Sequence, residues 1–302
     1  MMENLDRKQD AILITGPTAS GKSALAVRLA AEHGGVVVNA DSMQVYDTLS
    51  VLTARPQPED MGGIEHRLYG HVPAGVAYST GDWLREATAL VRELRERGKR
   101  PVFVGGTGLY FRALTGGLSD MPAIPNGVRE RVRARLAAEG AEALHWELAE
   151  RDPETAARLM VGDGQRIVRA FEVIEATGKS ISTFQSASGP AVIDPERAEK
   201  IVVLPDRAVL TARIDRRFGL MLKAGAVDEV KALLAQDLPP AMPVMKAIGV
   251  PQIAAMLAGE MREADVIERG AAATRQYAKR QMTWFRNQLD ESWRRIDPLV
   301  AI

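Results

Sequence analysis

The chain has 302 residues, and 39 Lys and Arg balance 39 Asp and Glu, so a nucleic-acid partner would have to meet local basic patches. Its length and its hydrophobic content of 46% suit one large α/β unit with an insertion, and the absence of Cys excludes disulfide and thiolate chemistry. No stretch approaches the ~20 apolar residues of a membrane span, and the polar N-terminus lacks the apolar region of a secretory signal, so we expect a cytoplasmic protein without a membrane partner.

A glycine-rich loop follows the first apolar run of the chain, residues 11–15, and precedes a helical pattern over 24–30. It fits the phosphate-loop spacing, in which backbone N–H groups and a helix N-terminus converge on an anion. Lys22 adds a full charge, and the Ser23 hydroxyl is suited to ligate Mg²⁺. The pattern predicts a site for a di- or triphosphate and its metal, formed by Gly16, Pro17, Thr18, Ala19, Ser20, Gly21, Lys22 and Ser23.

Two further apolar runs end in polar residues. Residues 36–39 predict a buried parallel strand with Asp41 just past it, and residues 101–104 predict another, which ends in a glycine turn with Thr107. In open α/β sheets the ends of such strands line the ligand crevice. Asp41 is then either a general base or Mg²⁺ neighbour, or a helix N-cap with Ser42. The turn around Thr107 either faces the same crevice or is a plain strand-to-helix connection.

The composition changes near residues 121–127, and from 128 to about 178 the chain looks wholly helical and rich in Arg and Glu. A solvated surface is the default interpretation of such helices. Gln165, Arg166 and Arg169 open one of them after a double-glycine turn, and these side chains suit base edges and phosphates. A Ser/Gly/Pro-rich stretch over 182–195 predicts a loop.

Strand character returns at 200–205, and a helix over 207–223 follows with Arg213, Arg216 and Arg217. Near a phosphate loop, such a cluster stabilises a leaving pyrophosphate or a transferring phosphoryl group; without the loop it would be a solvated face. Residues 245–251 predict a turn into a helix. A basic helix over 269–295 either tracks a nucleic-acid backbone or docks its aromatic residues on the core.

These patterns predict an α/β fold: a P-loop NTPase-like core whose parallel sheet is flanked by helices, plus a helical insertion domain. The core would comprise residues 1–120 and 191–302, and the insertion residues 121–190.

Several separated segments together resemble the bacterial tRNA dimethylallyltransferases of the IPP transferase family. The resemblance spans nearly the whole chain, and the combination is far more specific than the phosphate loop alone. The segments are residues 16–23, 41–46, 53–56, 104–110, 165–170, 177–179 and 273–286.

The resemblance implies a changed use of the loop, which would bind the pyrophosphate of dimethylallyl diphosphate rather than ATP. The dimethylallyl group would pass to N6 of adenosine 37 in tRNA, with release of diphosphate. That base must leave its stack to react. The implied cofactor is Mg²⁺, the insertion would grip the anticodon stem-loop, and we expect a monomer.

The resemblance also implies roles for individual residues. Asp41 would be the general base on N6, and Thr107 would help to hold that amine. The charge on the departing pyrophosphate would be taken by Lys22, Arg217 and Ser23 with Mg²⁺. Contacts to tRNA are implied for Asp41, Ser42, Met43, Gln44, Thr107, Arg129, Gln165, Arg166, Arg169, Lys246 and Gly249.

A few positions depart from the family pattern. Ser50, Leu52, Arg55 and Val250 replace a usual Asp, Gly, Lys and aromatic residue, and Lys246 stands for a usual Arg. Lys cannot make the two-pronged contact of Arg, so the departure at Lys246 alters an implied tRNA contact.

Two other functions share the phosphate loop. A small-molecule or nucleotide kinase would transfer a phosphoryl group from ATP. A nucleic-acid-binding switch ATPase would carry an acid after a hydrophobic strand, and residues 36–39 ahead of Asp41 are a weak version of that pattern. An assay with labelled dimethylallyl diphosphate and a tRNA with adenosine at position 37 distinguishes all three functions.

Overall fold

A computed structural model describes residues 10–185 and 189–297 of the chain. The chain divides into two compact units. The first combines the residues before 116 with those after 190, and the second spans residues 116–190. The second unit therefore begins at 116, rather than at 121 where the composition changes.

The first unit is built on one parallel sheet. Across the described part of the chain, it has six strands in the order β3-β2-β4-β1-β5-β6. The central strands are buried along almost their whole length, as expected for a sheet covered on both faces. The strands are β1 Ala11–Thr15, β2 Gly35–Asn39, β3 His66–Arg67, β4 Arg100–Gly105, β5 Ala198–Val203 and β6 Arg294–Ile296.

The helices of the first unit follow the predicted order; α1 and α2 pack on the sheet, and α11 packs on α8 and α10. The first ends at Gly34, whose left-handed conformation (φ 60°) stops the helix. These helices are α1 Lys22–His33, α2 Thr80–Glu96, α3 Gly108–Gly116, α8 Arg207–Met221, α9 Val227–Leu234, α10 Val250–Leu257 and α11 Glu263–Gln288.

The prediction of one helix over 269–295 was wrong at its C-terminal end. Helix α11 stops at Gln288, because Leu289 adopts extended backbone, and the chain then turns to add β6 beside β5. Trp293 precedes β6, is buried, and meets the Phe111 ring edge-on at 5.8 Å. Strands as short as β3 and β6 leave no periodic pattern in a sequence, so neither was predicted.

The second unit is helical, but not continuously so. Its helices are α4 Asn126–Arg151, α5 Pro153–Ala156, α6 Gly164–Thr177 and α7 Ile181–Gln185. The backbone of Gly140 leaves the helical region inside α4 (φ 82°, ψ 166°), which breaks that helix in two. The prediction of helix throughout was wrong at 157–161, whereas the chain turns at 162–163, before α6, where the double-glycine turn was predicted. Helix α7 lies in the predicted loop, of which 186–188 lie outside the described residues.

The second unit has a core of its own. Leu144, Leu148, Ile167 and Phe171 are completely buried between α4 and α6. Independent burial of this kind is what a separate domain requires.

No helix among the described residues is both long and apolar enough to cross a membrane.

Candidate active site

Three loops meet at one edge of the sheet. They follow β1, β2 and β4, and β4 lies between the other two strands. The carboxyl ends of parallel strands lie on the same edge, so the loops are neighbours. The backbone N–H of Thr107, after β4, donates to the Ala40 carbonyl, after β2, at 3.2 Å. Strand pairing therefore brings the predicted phosphate loop, Asp41 and Thr107 together.

The phosphate loop is shaped to receive an anion. Gly21 lies at the N-cap of α1 with φ 89°, a conformation that side chains resist. Within the described residues, no side chain caps the first turn of α1 and no acidic residue lies in it. The first N–H groups of the helix thus lack intrahelical partners and favour a negative ligand.

Two side chains of the loop add to this site. Lys22 folds back so that Nζ donates to the Pro17 carbonyl at 3.2 Å, which holds the ammonium over the loop. The Ser20 hydroxyl is fully buried and has no hydrogen-bond partner among the described residues. A buried hydroxyl without a partner is costly, so a bound ligand oxygen would relieve it.

Charges around the loop act on one another. Burial lowers the pKa of Lys22 to about 8, the nearby Asp41 carboxylate partly opposes this, and Arg217 adds to the lowering. Burial also lowers the pKa of Arg217, an effect that the charge of Asp60 counters. Arg217 was predicted to lie near the phosphate loop, and in the structure its charge is close enough to lower the pKa of Lys22. Asp41 and Asp60 partly balance these two cations, and the uncapped N-terminus of α1 adds positive potential, so the site favours an anion.

Asp41 is held through its backbone. The side chain of Asn39, buried at the end of β2, accepts from the Asp41 N–H at 2.8 Å and donates to its carbonyl at 2.9 Å. Oδ1 of Asp41 accepts from the Met43 N–H at 2.9 Å. The turn thereby sets the carboxylate without helical capping, so the alternative interpretation as a helix N-cap does not apply here.

Thr107 is joined to the loop of Asp41. Its hydroxyl oxygen accepts from the Ser42 N–H at 3.0 Å and donates to Ser42 Oγ at 3.3 Å. The glycine turn is therefore more than a connection to α3, because it ties the ends of β2 and β4 together.

Three tyrosines lie close enough to Asp41 for its charge to act on them, and the sequence did not predict this. Burial raises the pKa of Tyr69, Tyr110 and Tyr277, and in each case the Asp41 carboxylate raises it further. They come from three distant segments, so no local pattern reveals them. Tyr69 and Tyr277 are partly exposed, whereas Tyr110 is buried in the core, where its ring stacks on Trp83 at 4.0 Å.

The residues present fit a magnesium ion. Ser23 lies in the first turn of α1 and is exposed, so its hydroxyl is accessible at the anion site. Mg²⁺ prefers oxygen ligands and keeps several waters and substrate phosphate oxygens, so one protein hydroxyl suffices. Mg²⁺ at Ser23 stays a prediction.

Other predicted tRNA contacts of the first unit serve the fold as well. Gln44 donates its amide to the carbonyls of Thr53 and Ala54 at 3.0 and 3.1 Å, and Met43 packs partly into the core. Lys246 is exposed, whereas Gly249 is buried with φ 101° and lies against Leu52. These contacts to RNA stay predictions.

The predicted contacts of the second unit lie on its surface. Arg129, Gln165 and Arg166 are exposed, and Arg166 pairs with Asp163 at 3.2 Å. Arg169 is held at 3.2 Å by Glu172, whose side chain is only 7% exposed. Arg166 and Gln165 are thus accessible to a ligand, with Arg166 held only by an exposed ion pair, whereas Arg169 is anchored to a buried carboxylate.

Two more residues touch the phosphate loop. The Arg213 guanidinium donates to the Ala19 carbonyl at 3.5 Å, so it lies nearer the loop than its position in a basic run indicated. Gln281 of α11 accepts from the Thr18 N–H at 3.0 Å. The only sequence signal for Gln281 is a polar residue between buried Ala278 and Phe285 on one helical face.

The comparison with known families decides which chemistry this site serves. The family described as IPP transferase matches residues 44–288, most of the chain, and one described as isopentenyl transferase matches residues 9–75. The chain belongs to the IPP transferase family.

Two bacterial members of the family are very similar to this chain over the full length. A tRNA dimethylallyltransferase of Rhizobium meliloti is 73% identical over 302 residues, which cover 100% of both chains. One of Sinorhizobium medicae is 70% identical over 301 residues, which cover 100% of this chain and 99% of the relative.

Solved structures of family members share the fold. A tRNA isopentenylpyrophosphate transferase of Bacillus halodurans is 33% identical, with a TM-score of 0.68 over 96% of this chain and 90% of that one. A eukaryotic dimethylallyltransferase, described as acting on tRNA, is 26% identical, with a TM-score of 0.81 over 96% of this chain and 75% of that one. The parallel sheet with its phosphate loop is thus the core that the family shares.

Proposed function

We propose that this chain transfers a dimethylallyl group from dimethylallyl diphosphate to N6 of adenosine 37 in tRNA and releases diphosphate. One observation carries the proposal. An uncapped helix N-terminus with Lys22 lies near a carboxylate, Asp41, that follows β2 at the same edge of the sheet. A site for an anionic leaving group next to a proton acceptor is what prenyl transfer to an amine requires.

The donor half of the reaction depends on leaving-group stabilisation. The bond between C1 of the dimethylallyl group and the diphosphate oxygen breaks, and its electron pair stays with diphosphate. We assign the stabilisation of that charge to the N–H groups of α1, Lys22 and Arg217, since Lys22 donates to the Pro17 carbonyl of the loop and the charge of Arg217 acts on Lys22. Fixed charges of this kind stabilise the transition state more than the substrate.

The acceptor half needs a proton acceptor of modest strength. The N6 lone pair attacks C1, and the amine proton becomes acidic as the new C–N bond forms. Asp41 accepts that proton, and Thr107, held through Ser42, orients the amine. Positioning of the two reactants supplies much of the remaining rate enhancement.

Mg²⁺ fits this donor site. It would be held by Ser23 and by diphosphate oxygens, and it would neutralise part of their negative charge.

RNA binding is assigned to the exposed polar face of the second unit, where Gln165 and Arg166 open α6. Because tRNA is its substrate, we place the protein in the cytoplasm. Lys22, Asp41, Thr107 and Arg217 all belong to one chain and meet within one unit. One copy is therefore sufficient for the chemistry, and we propose that it acts as a monomer.

The test is transfer from radiolabelled dimethylallyl diphosphate to an unmodified tRNA with adenosine at position 37. We expect label on that tRNA with Mg²⁺ present, and none on the same tRNA with guanosine at 37. Asp41→Ala should lower transfer by about a thousandfold or more while tRNA affinity is kept. Consumption of ATP without prenylated RNA would instead establish a kinase or a switch ATPase. Full turnover by Asp41→Ala would disprove the role of Asp41.

A further inference from the structure

Gln281 is a polar side chain in an apolar place. It lies on α11 between Ala278 and Phe285, two buried residues of the same face, and is itself only 5% exposed. Burying a primary amide is costly unless its oxygen and its nitrogen both find partners.

Both partners of Gln281 are backbone groups of the active-site loops. Oε1 accepts from the N–H of Thr18, in the phosphate loop, at 3.0 Å. Nε2 donates to the carbonyl of Gly106, in the loop that carries Thr107, at 2.9 Å. One side chain therefore spans the phosphate loop and the loop that carries Thr107.

The neighbouring residues of α11 hold the helix against the same two loops. Ala278 lies in a small apolar cluster against which Ala19 packs. The Trp284 ring lies so close to Gly108 that a Cβ there would be 2.3 Å from it. A Cβ on Gly106 would come within 2.2 Å of Gln281 Nε2, so a glycine is needed for the amide to reach the carbonyl.

We propose that Gln281 is a positioning residue for the transfer reaction, which sets the separation between the phosphate loop and the Thr107 loop. It touches neither substrate. It fixes how far the leaving group, held at one loop, lies from the amine, held at the other. The inference rests on the proposed function, because the separation matters only if the two loops hold two reactants.

The chemistry of an amide explains why this residue is Gln. The bridge needs one acceptor and one donor at the end of a side chain of this length. Glu keeps the acceptor for Thr18 but, when ionised, loses the donor and faces the Gly106 carbonyl with a negative charge. Met keeps the length and loses both functions.

The experiment compares Gln281→Met and Gln281→Glu with the wild type, and Gln288→Met, at an exposed position of the same helix, is the control. Steady-state transfer is measured with each substrate varied. For Gln281→Met we expect kcat to fall about tenfold to a hundredfold, with both KM values within about twofold, since each loop still binds its own reactant. Gln288→Met should match the wild type.

Gln281→Glu gives a readout that a packing defect would not give. Burial raises the pKa of a carboxyl group, and its protonated form regains a donor for the Gly106 carbonyl. The activity of Gln281→Glu relative to wild type should therefore rise from about pH 8.5 to about pH 6, whereas that of Gln281→Met relative to wild type should stay level.

Three results would overturn the inference: unchanged kcat in Gln281→Met, a raised KM with kcat kept, or a pH-independent ratio for Gln281→Glu. If Gln281→Met does not fold, the pH dependence of Gln281→Glu decides alone. A wild type without transfer activity would disprove the proposed function itself. An active wild type with indifferent Gln281 variants would disprove only the role of Gln281.

Discussion

The positive charge of Lys22 is subject to two opposing effects. Burial disfavours its ammonium form, and the negative charge of Asp41 opposes that effect, so its pKa lies at about 8 rather than at its ordinary 10.5. The free enzyme is thus near the point where it loses the charge that a diphosphate needs. Asp41, proposed as the base for the acceptor, therefore also supports the donor site electrostatically.

The first prediction concerns the pH dependence of diphosphate binding. Protonated Lys22 attracts the anion, so affinity for Mg²⁺-diphosphate should fall as the pH rises above about 8. Asp41→Asn removes the charge that raises the Lys22 pKa, so the fall should begin at lower pH. Isothermal titration calorimetry from about pH 6 to about pH 9.5 measures both.

The control for this prediction is Lys22→Met, which should bind weakly and lose this pH dependence. Lys231→Met, at an exposed position of α9, should behave as the wild type does. The assignment to Lys22 fails if the same break persists in Lys22→Met, because the titration would then belong to the ligand or to another group.

At the scale of elements, helix α9 fixes the turn over residues 50–52, which no local sequence pattern predicts. Glu229 of α9 accepts three backbone N–H groups: those of Ser50 and Val51 at 2.9 and 2.7 Å, and that of Leu52 at 3.0 Å. The same turn leads to the Thr53 carbonyl that Gln44 binds. The helix thus fixes the segment that follows Asp41, over a separation of 179 residues between Ser50 and Glu229.

The second prediction is that Glu229→Ala lowers the free energy of unfolding by about 1–3 kcal/mol, because three partly buried N–H groups lose a charged acceptor. Asp228→Ala, next to it but exposed and paired with Lys231, should change it by less than about 0.5 kcal/mol. Urea denaturation measures both. Equal losses would show that the turn does not depend on the carboxylate.

For the whole molecule, the balance of 39 basic and 39 acidic residues means that RNA must be bound by a local surface. The second unit offers one on α6. Arg166 is 72% exposed, whereas Arg169 compensates the buried charge of Glu172. Removing Arg169 would leave that carboxylate without its closest cation and disturb the fold, so Arg166 is the better probe.

The third prediction is that Arg166→Ala and Gln165→Ala each raise the KM for tRNA about fivefold to twentyfold and leave the KM for dimethylallyl diphosphate unchanged. The salt dependence of tRNA binding should become shallower in Arg166→Ala, since one phosphate contact is lost. Arg158→Ala, another exposed Arg of the second unit, is the control. If the variants weaken diphosphate binding instead, the RNA surface has been misplaced.

The chain by itself determined the features whose cause is local. The phosphate loop and the central strands follow from glycine spacing and apolar runs, which act over a few residues. Asp41 and Thr107 were predictable because parallel strands end at one edge of the sheet. Only the tertiary structure decided the edge strands β3 and β6, the tyrosines around Asp41 and the bridge of Gln281. These depend on contacts between segments as much as 263 residues apart, and a contact of that range leaves no periodicity in the sequence.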